Sequence, residues 1–132
     1  MRTFSIAVLA IVALIGWAAA PQTPVREDYN SGAFLYRAFC ASCHGDSGRG
    51  DGPVADLGPR PSDLTRLRGA NGGVFPAARV RAALEDPRSV GGHLVPAMPN
   101  WRDVLRKTEG ADERTLAIRL EALVSHVESL QK

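Results

Sequence analysis

The sequence FCASCHG, residues 39–45, places two cysteines and a histidine close together. Cys40 and Cys43 are three residues apart, so one turn of helix would bring both thiols to the same face. His44 follows the second cysteine directly. This C-x-x-C-H spacing is typical of c-type haem attachment, in which the thiols form thioethers with two vinyl groups and the histidine binds the iron. We therefore predict one covalent haem c, held by Cys40 and Cys43, with His44 as the proximal iron ligand.

Three other uses of the cysteine pair fit the sequence less well. A thioredoxin-like redox pair would need a βαβ pattern around it, which the sequence lacks. A structural zinc site needs about four ligands, and the remaining candidates are His93 and His126. A disulfide across two intervening residues would close a very small loop and would stabilise little.

The segments around the motif carry a resemblance to a known family. Gly32 and Tyr36 precede the motif four residues apart, GRGDGP follows it at 48–53, and PAMP stands at 96–99. With these motifs the chain resembles the class I c-type cytochromes, and more narrowly the small bacterial monohaem cytochromes with a G-x-G-D-G-P segment. The resemblance covers residues 31–132. It implies an all-α cytochrome c fold, with several short helices and long loops around one covalently bound haem.

Met98 is predicted to be the second axial ligand. It is the only methionine apart from Met1, and it lies between prolines about fifty residues after His44. Methionine is commonly a soft core filler, but flanking prolines restrict the backbone as a ligand loop requires. His93 is the rival ligand, and an open iron site is the third possibility. Methionine would raise the reduction potential relative to histidine.

The segment 45–75 is rich in glycine and proline. About thirty residues without regular structure are unusual inside a compact domain, unless a cofactor supplies the missing core. The side chains predicted to face the haem are Val54, Leu57, Leu64 and Leu67. The resemblance implies that a proline carbonyl in this loop accepts a hydrogen bond from the second ring nitrogen of the proximal histidine. The candidates are Pro53, Pro59 and Pro61.

Two further roles near the haem stay open. Any of four arginines could meet a haem propionate, although a solvated side chain is the ordinary role of each: Arg60, Arg66, Arg79 and Arg88. Trp101 is predicted either to lie at the haem edge, with its indole N–H towards a propionate, or to be ordinary core.

Capping residues and apolar periodicity predict four main helices. The first starts at Asn30 or Ser31 and reaches about Ser42, and the second spans 77–85, between Pro76 and Pro87. The third spans 101–107, with Asn100 as its cap and Gly110 as its stop. The last begins at Asp112 and carries an apolar stripe, formed by Leu116, Leu120, Leu123, Val124, Val127 and Leu130. The resemblance implies that Gly32 lets the first helix approach the last one closely. His126 stands there, where the family commonly has an aromatic residue.

Residues 1–20 are predicted to be a secretory signal peptide or an N-terminal membrane anchor. Residues 4–20 carry no charge, and the three alanines at 18–20 offer a cleavage pattern. Pro21 would obstruct cleavage, whereas the uncharged stretch is at the short edge for a membrane span. Both predictions place residues 31–132, the haem domain, outside the cytoplasm, behind a linker at 21–30.

Charge excludes one class of partner. The chain has 16 basic and 14 acidic residues, for a formal charge of +2, and no basic stripe of the kind that binds nucleic acid. We also find no pattern of a catalytic acid, base or nucleophile, since Asp51 and Asp63 suit turn and cap positions.

The sequence therefore predicts an electron carrier and not an enzyme. The expected function is one-electron transfer between a redox protein donor and acceptor in an extracytoplasmic, periplasmic respiratory chain. One alternative is a cytochrome c subunit fixed in a membrane-bound oxidase, reductase or dehydrogenase complex, with membrane contact through an uncleaved segment 4–20. Another is a ligand-binding or peroxidase-like haem protein with an open sixth position.

Overall fold

The computed structural model of the protein describes residues 28–57, 60–90 and 98–132. Residues 1–20, most of the linker, Pro59 and His93 lie outside these ranges. Every regular element within them is helical, which confirms the all-α prediction. The α-helices are α1 (Gly32–Phe39), α2 (Ala41–His44), α3 (Leu67–Ala70), α4 (Ala77–Glu85), α5 (Trp101–Glu109) and α6 (Glu113–Ser129). Short 3₁₀ turns lie at Ala55–Leu57, Leu64–Arg66 and Pro87–Val90. None of the described helices is long and apolar enough to cross a bilayer.

Side-chain caps set the starts of the longer helices. The Ser31 hydroxyl accepts from the Phe34 amide at 3.2 Å, and Asn100 and Asp112 cap α5 and α6 in the same way. Such caps satisfy amides that have no partner inside the helix. Gly110 ends α5 with a φ of 59°, a left-handed conformation that glycine adopts without strain. The predicted caps of α5 and α6 and the predicted stop of α5 at Gly110 are therefore confirmed.

The core forms where α1 crosses α6. Leu35 and Tyr36 of α1 are buried against the apolar stripe of α6, whose members at 116, 120, 123, 124 and 127 are all buried. Gly32 lies at the crossing, because a Cβ built there would stand 2.0 Å from the Ala122 carbonyl oxygen. The predicted close approach of the two helices at Gly32 is confirmed.

His126 fills the position beside this crossing. Its ring stacks at a tilt on Tyr36, with the ring centroids 4.9 Å apart. Burial, and secondly the Arg37 charge, lowers the pKa of His126 below its usual value. His126 thus makes the ring contact with Tyr36, but it also introduces a group whose charge depends on pH.

We expect Gly32→Ala to destabilise the domain by about 1–3 kcal/mol or more, because the added methyl meets rigid backbone of α6. Gly69→Ala is the matched control, since a Cβ at that helical glycine meets no atom within 4 Å. It should be neutral or stabilising by up to about 1 kcal/mol. Urea unfolding of the haem-loaded protein measures both changes. Equal stability of the two variants would contradict the close approach.

We expect the free energy of unfolding to fall as pH drops below about 6.5, the ordinary pKa of histidine. In that window the unfolded chain binds a proton that the folded His126 does not, so stability rises with pH. His126→Phe should reduce this dependence, and Arg37→Gln should reduce it less, because Arg37 is the smaller cause. Denaturant titrations between about pH 8 and pH 5 compare the slopes. Parallel curves for wild type and His126→Phe would refute the prediction.

Candidate functional site

The motif cysteines and histidine lie on one helical turn. The Cys40 carbonyl accepts from the Cys43 amide at 3.1 Å and from the His44 amide at 2.8 Å. Cys40 is at the joint between α1 and α2, so the predicted first helix is confirmed with a break at this residue. The His44 and Cys40 side chains are buried, each with about 8% of its surface exposed. The turn therefore delivers a thiol and an imidazole into the interior together.

A backbone carbonyl orients the His44 ring. The distance from Nδ1 to the Ser62 carbonyl oxygen is 3.0 Å. A carbonyl can only accept, so Nδ1 carries the proton, and in the neutral ring the lone pair that can bind a metal is then on Nε2. The prediction of Pro53 or Pro61 as the acceptor is wrong, because the structure uses Ser62, the neighbour of Pro61. Pro59 lies outside the described residues.

The G-x-G-D-G-P segment completes the end of α2. The last carbonyls of a helix have no partner inside it. Here Ser42, Cys43 and His44 accept from the amides of Val54, Gly52 and Gly50, at 3.0, 3.1 and 2.8 Å respectively. The Gly45 carbonyl accepts from the Tyr36 hydroxyl at 2.8 Å, and burial raises the pKa of Tyr36, so this donor keeps its proton. The segment thus holds the motif by its backbone.

Glycine is required at two of these positions for lack of space. A Cβ at Gly52 would lie 2.4 Å from the Ser42 carbonyl oxygen, on α2 itself. A Cβ at Gly50 would lie 2.3 Å from the Pro61 carbonyl oxygen, and φ at Gly50 is +74°. The contact at Gly50 places this residue directly against the Pro61–Ser62 peptide. The two glycines therefore fix α2 and its hydrogen-bond acceptor relative to each other.

A cavity of about 300 Å³ opens beside α2. Cys40, His44 and Met98 line it together, so the structure brings both predicted axial ligands to one space. Most of the remaining lining is apolar and comes from separate segments of the chain, including Leu64, Leu67, Val80, Ala83, Leu84, Leu123 and Val127. Leu64 and Leu67 face the cavity as predicted. Val54 does not, since it lies on the surface with 37% of its area exposed, and the Leu57 side chain lies outside the description.

Polar groups at the cavity are few. Of the four arginines considered for propionates, Arg79 lines the cavity and the other three do not. In the described part of the chain, the other polar residues of the lining apart from the motif are Tyr36, Ser62 and Asn71. Trp101 is not part of the lining; its ring packs on Phe39 with centroids 5.4 Å apart, which favours the core role for it.

The donor set suits a porphyrin better than a bare metal ion. Burial, and secondly the Cys43 thiol, raises the pKa of Cys40 to about 12, so the thiol is protonated at neutral pH. A structural zinc site needs about four ligands. Among the described residues, no group of three or more His, Cys, Asp or Glu side chains could hold a metal ion. An apolar cavity lined by an imidazole, a thioether sulfur and a thiol fits a covalently bound haem.

A family model described as Cytochrome C oxidase, cbb3-type, subunit III matches residues 27–112, about two thirds of the chain. The chain belongs to this family of c-type cytochromes. The matched range contains the motif, the glycine segment, α4 and Met98. Comparisons with curated proteins and with solved structures give no significant match. The cytochrome therefore carries haem c, as the motif predicts.

We expect Gly50→Ala to raise the reduction potential of the cytochrome. The added methyl would displace the Pro61–Ser62 peptide and weaken the hydrogen bond from His44 to Ser62. As the predicted proximal ligand, the imidazole would then be a weaker donor and would stabilise ferric iron less. Gly72→Ala is the control, because its φ is also positive, at +64°, but no atom lies within 4 Å. Both should lose about 1–2 kcal/mol of stability through backbone strain, and Gly50→Ala should lose more because its methyl also meets the Pro61 carbonyl. A redox titration should show a shift for Gly50→Ala alone; equal potentials would exclude the mechanism.

Proposed function

We propose that the cytochrome transfers single electrons through a haem c bound at the iron by His44 and Met98 and attached through Cys40 and Cys43. The observation that carries this proposal is the shared cavity, which Cys40, His44 and Met98 all line. Family membership supports electron transfer through a c-type haem. The bound group supplies the one-electron chemistry, as iron alternates between its ferric and ferrous forms.

The residues of the chain do three things in this function. The Ser62 carbonyl holds the His44 ring in one tautomer and orientation. The apolar lining keeps water away from the iron, which tunes the potential through the local dielectric. The Met98 thioether is a weaker donor than a second imidazole and favours ferrous iron. His44 and Met98 would together hold the iron and would leave no coordination position for a substrate, so the haem would supply one-electron transfer alone.

The proposed place of action is outside the cytoplasm. Residues 1–20 carry the features of an export signal or anchor, and residues 31–132 form the haem domain behind a linker at 21–30. The donor and acceptor are redox proteins of a respiratory chain. The balance of charges on the chain gives no reason to include nucleic acid among the partners.

A fixed subunit of a membrane-bound oxidase is the second candidate, and the family description favours it because it names an oxidase subunit. The two candidates predict different N-termini and different co-purifying proteins. Mass spectrometry of the native protein, together with its co-purifying chains, distinguishes them. An unprocessed N-terminus with oxidase subunits supports the fixed role, and a processed, solitary chain supports the mobile carrier.

We expect the ferric cytochrome to show a weak far-red charge-transfer band that Met98→Leu abolishes, because leucine keeps the volume and removes the sulfur. The ferrous variant should also bind carbon monoxide, while the wild type resists it. Leu64→Ala is the control, since it enlarges the same cavity and leaves both axial ligands in place.

Absorption spectra of the haem-loaded proteins, ferric and ferrous, make this comparison. A high-spin ferric wild type that Met98→Leu leaves unchanged would remove Met98 from the iron. The ligand-binding function would then replace electron transfer as the conclusion.

A further inference from the structure

A chain of ion pairs joins α5, the helix that follows Met98, to α4 and α6. Arg102 and Arg106 of α5 both contact Glu113 of α6. On the other side, Arg102 lies 3.5 Å from Glu85 of α4. The ion pairs continue within α4, from Glu85 to Arg81 at 3.5 Å. Arg81 then pairs with Glu121 of α6 at 2.9 Å.

Arg102 is the central member of this network. Its guanidinium bridges two carboxylates that belong to different helices, Glu85 at the end of α4 and Glu113 in the first turn of α6. About 37% of its side chain is exposed, against 66% for Glu113. The planar, multi-donor guanidinium suits this double contact, which a lysine ammonium cannot reproduce as well.

The position of Arg102 links the network to Met98. Arg102 is in the first turn of α5, two residues after its cap Asn100, and only Pro99 separates Asn100 from Met98. Proline fixes its own φ and restricts the backbone of the residue before it, which here is Met98. A displacement of the first turn of α5 is therefore transmitted to Met98 over a short, stiff connection.

Other contacts hold α5 as well, but in different places. Leu105 is completely buried and fixes the middle of the helix. Trp101 packs on Phe39, next to the first motif cysteine. These two contacts face the interior, whereas Arg102 holds the outer side of the first turn against both neighbouring helices.

We propose that Arg102 is a positioning residue for Met98: by bridging Glu85 and Glu113 it keeps the first turn of α5 docked, and so keeps the methionine sulfur at the iron. This rests on the proposed function, in which Met98 is the sixth ligand. Release of Met98 then requires the first turn of α5 to move, which breaks the bridge. Because the pairs are partly exposed, salt weakens the bridge and favours release.

The test follows the release of Met98 in the haem-loaded ferrous protein through the rate of carbon monoxide binding. Arg102→Gln should speed binding about five-fold at low ionic strength, in line with the loss of partly exposed ion pairs. High salt should bring the wild type close to the variant. Arg102→Lys should fall between them, because it keeps the charge and loses the double contact.

Arg68→Gln is the matched control. Arg68 forms a 3.2 Å pair with Glu128 at similar exposure, 43% against 37% for Arg102, and it lies on α3, away from α5. It should leave the carbon monoxide rate unchanged. The ferric far-red band at room temperature reports whether each variant is folded with Met98 bound, so a misfolded variant is recognised before the kinetics are compared.

Two results would overturn the proposal in distinguishable ways. If the wild type has the far-red band but Arg102→Gln binds carbon monoxide at the wild-type rate, Met98 is released without motion of α5, and only this inference fails. If the wild type lacks the band, Met98 is not the ligand, and the proposed function fails with it.

Discussion

The end of helix α2 is the constraint on which the rest of the site depends. Its terminal carbonyls have no partners within the helix, and a buried carbonyl without a partner is costly. The G-x-G-D-G-P segment and the Val54 that follows it turn back to supply amides, and the Tyr36 hydroxyl supplies one more donor. This return path brings Gly50 against the Pro61 carbonyl and so sets where Ser62 lies. The orientation of His44 is thus a consequence of how the helix is terminated.

Helix α6 connects the segments around His44 to the remainder of the domain. At its start it packs with α5, and along its length it packs on α1 and α4. At its end Gln131 accepts from the Arg68 amide at 2.8 Å and donates to the Leu64 carbonyl at 2.7 Å, while the Lys132 amide donates to Thr65. The loop that carries Ser62 and Leu64 is therefore anchored to the last residues of the chain. Through α6 and the residues after it, segments that are distant in the sequence are held around the same cavity.

Features with a local cause could be predicted from the sequence, whereas most features with a tertiary cause could not; the close approach at Gly32 is the exception, and it was implied by the family resemblance. Caps, the apolar stripe and the motif turn depend on residues a few positions apart. That Leu64 and Leu67 line the cavity could also be predicted, because apolar residues in a polar loop need a place to be buried. The role of Ser62 as the hydrogen-bond acceptor for His44 could not be predicted. A backbone carbonyl carries no side-chain signal, and its position depends on the contact with Gly50. Val54 was misassigned for a similar reason: its amide, not its side chain, is what the site uses.

The two proposed axial ligands are held by different kinds of interaction. His44 is fixed by its position on a helical turn whose carbonyls are all bonded, in a region where backbone packs on backbone. Met98 is fixed from its C-terminal side by a short connection to α5, whose first turn is held in part by exposed ion pairs that salt weakens. As salt is raised, we therefore expect the segment with Met98 to move before the segment with His44 does. If Met98 binds the iron as proposed, the stability of that segment decides whether the sixth position is filled, as electron transfer requires, or is open to a ligand.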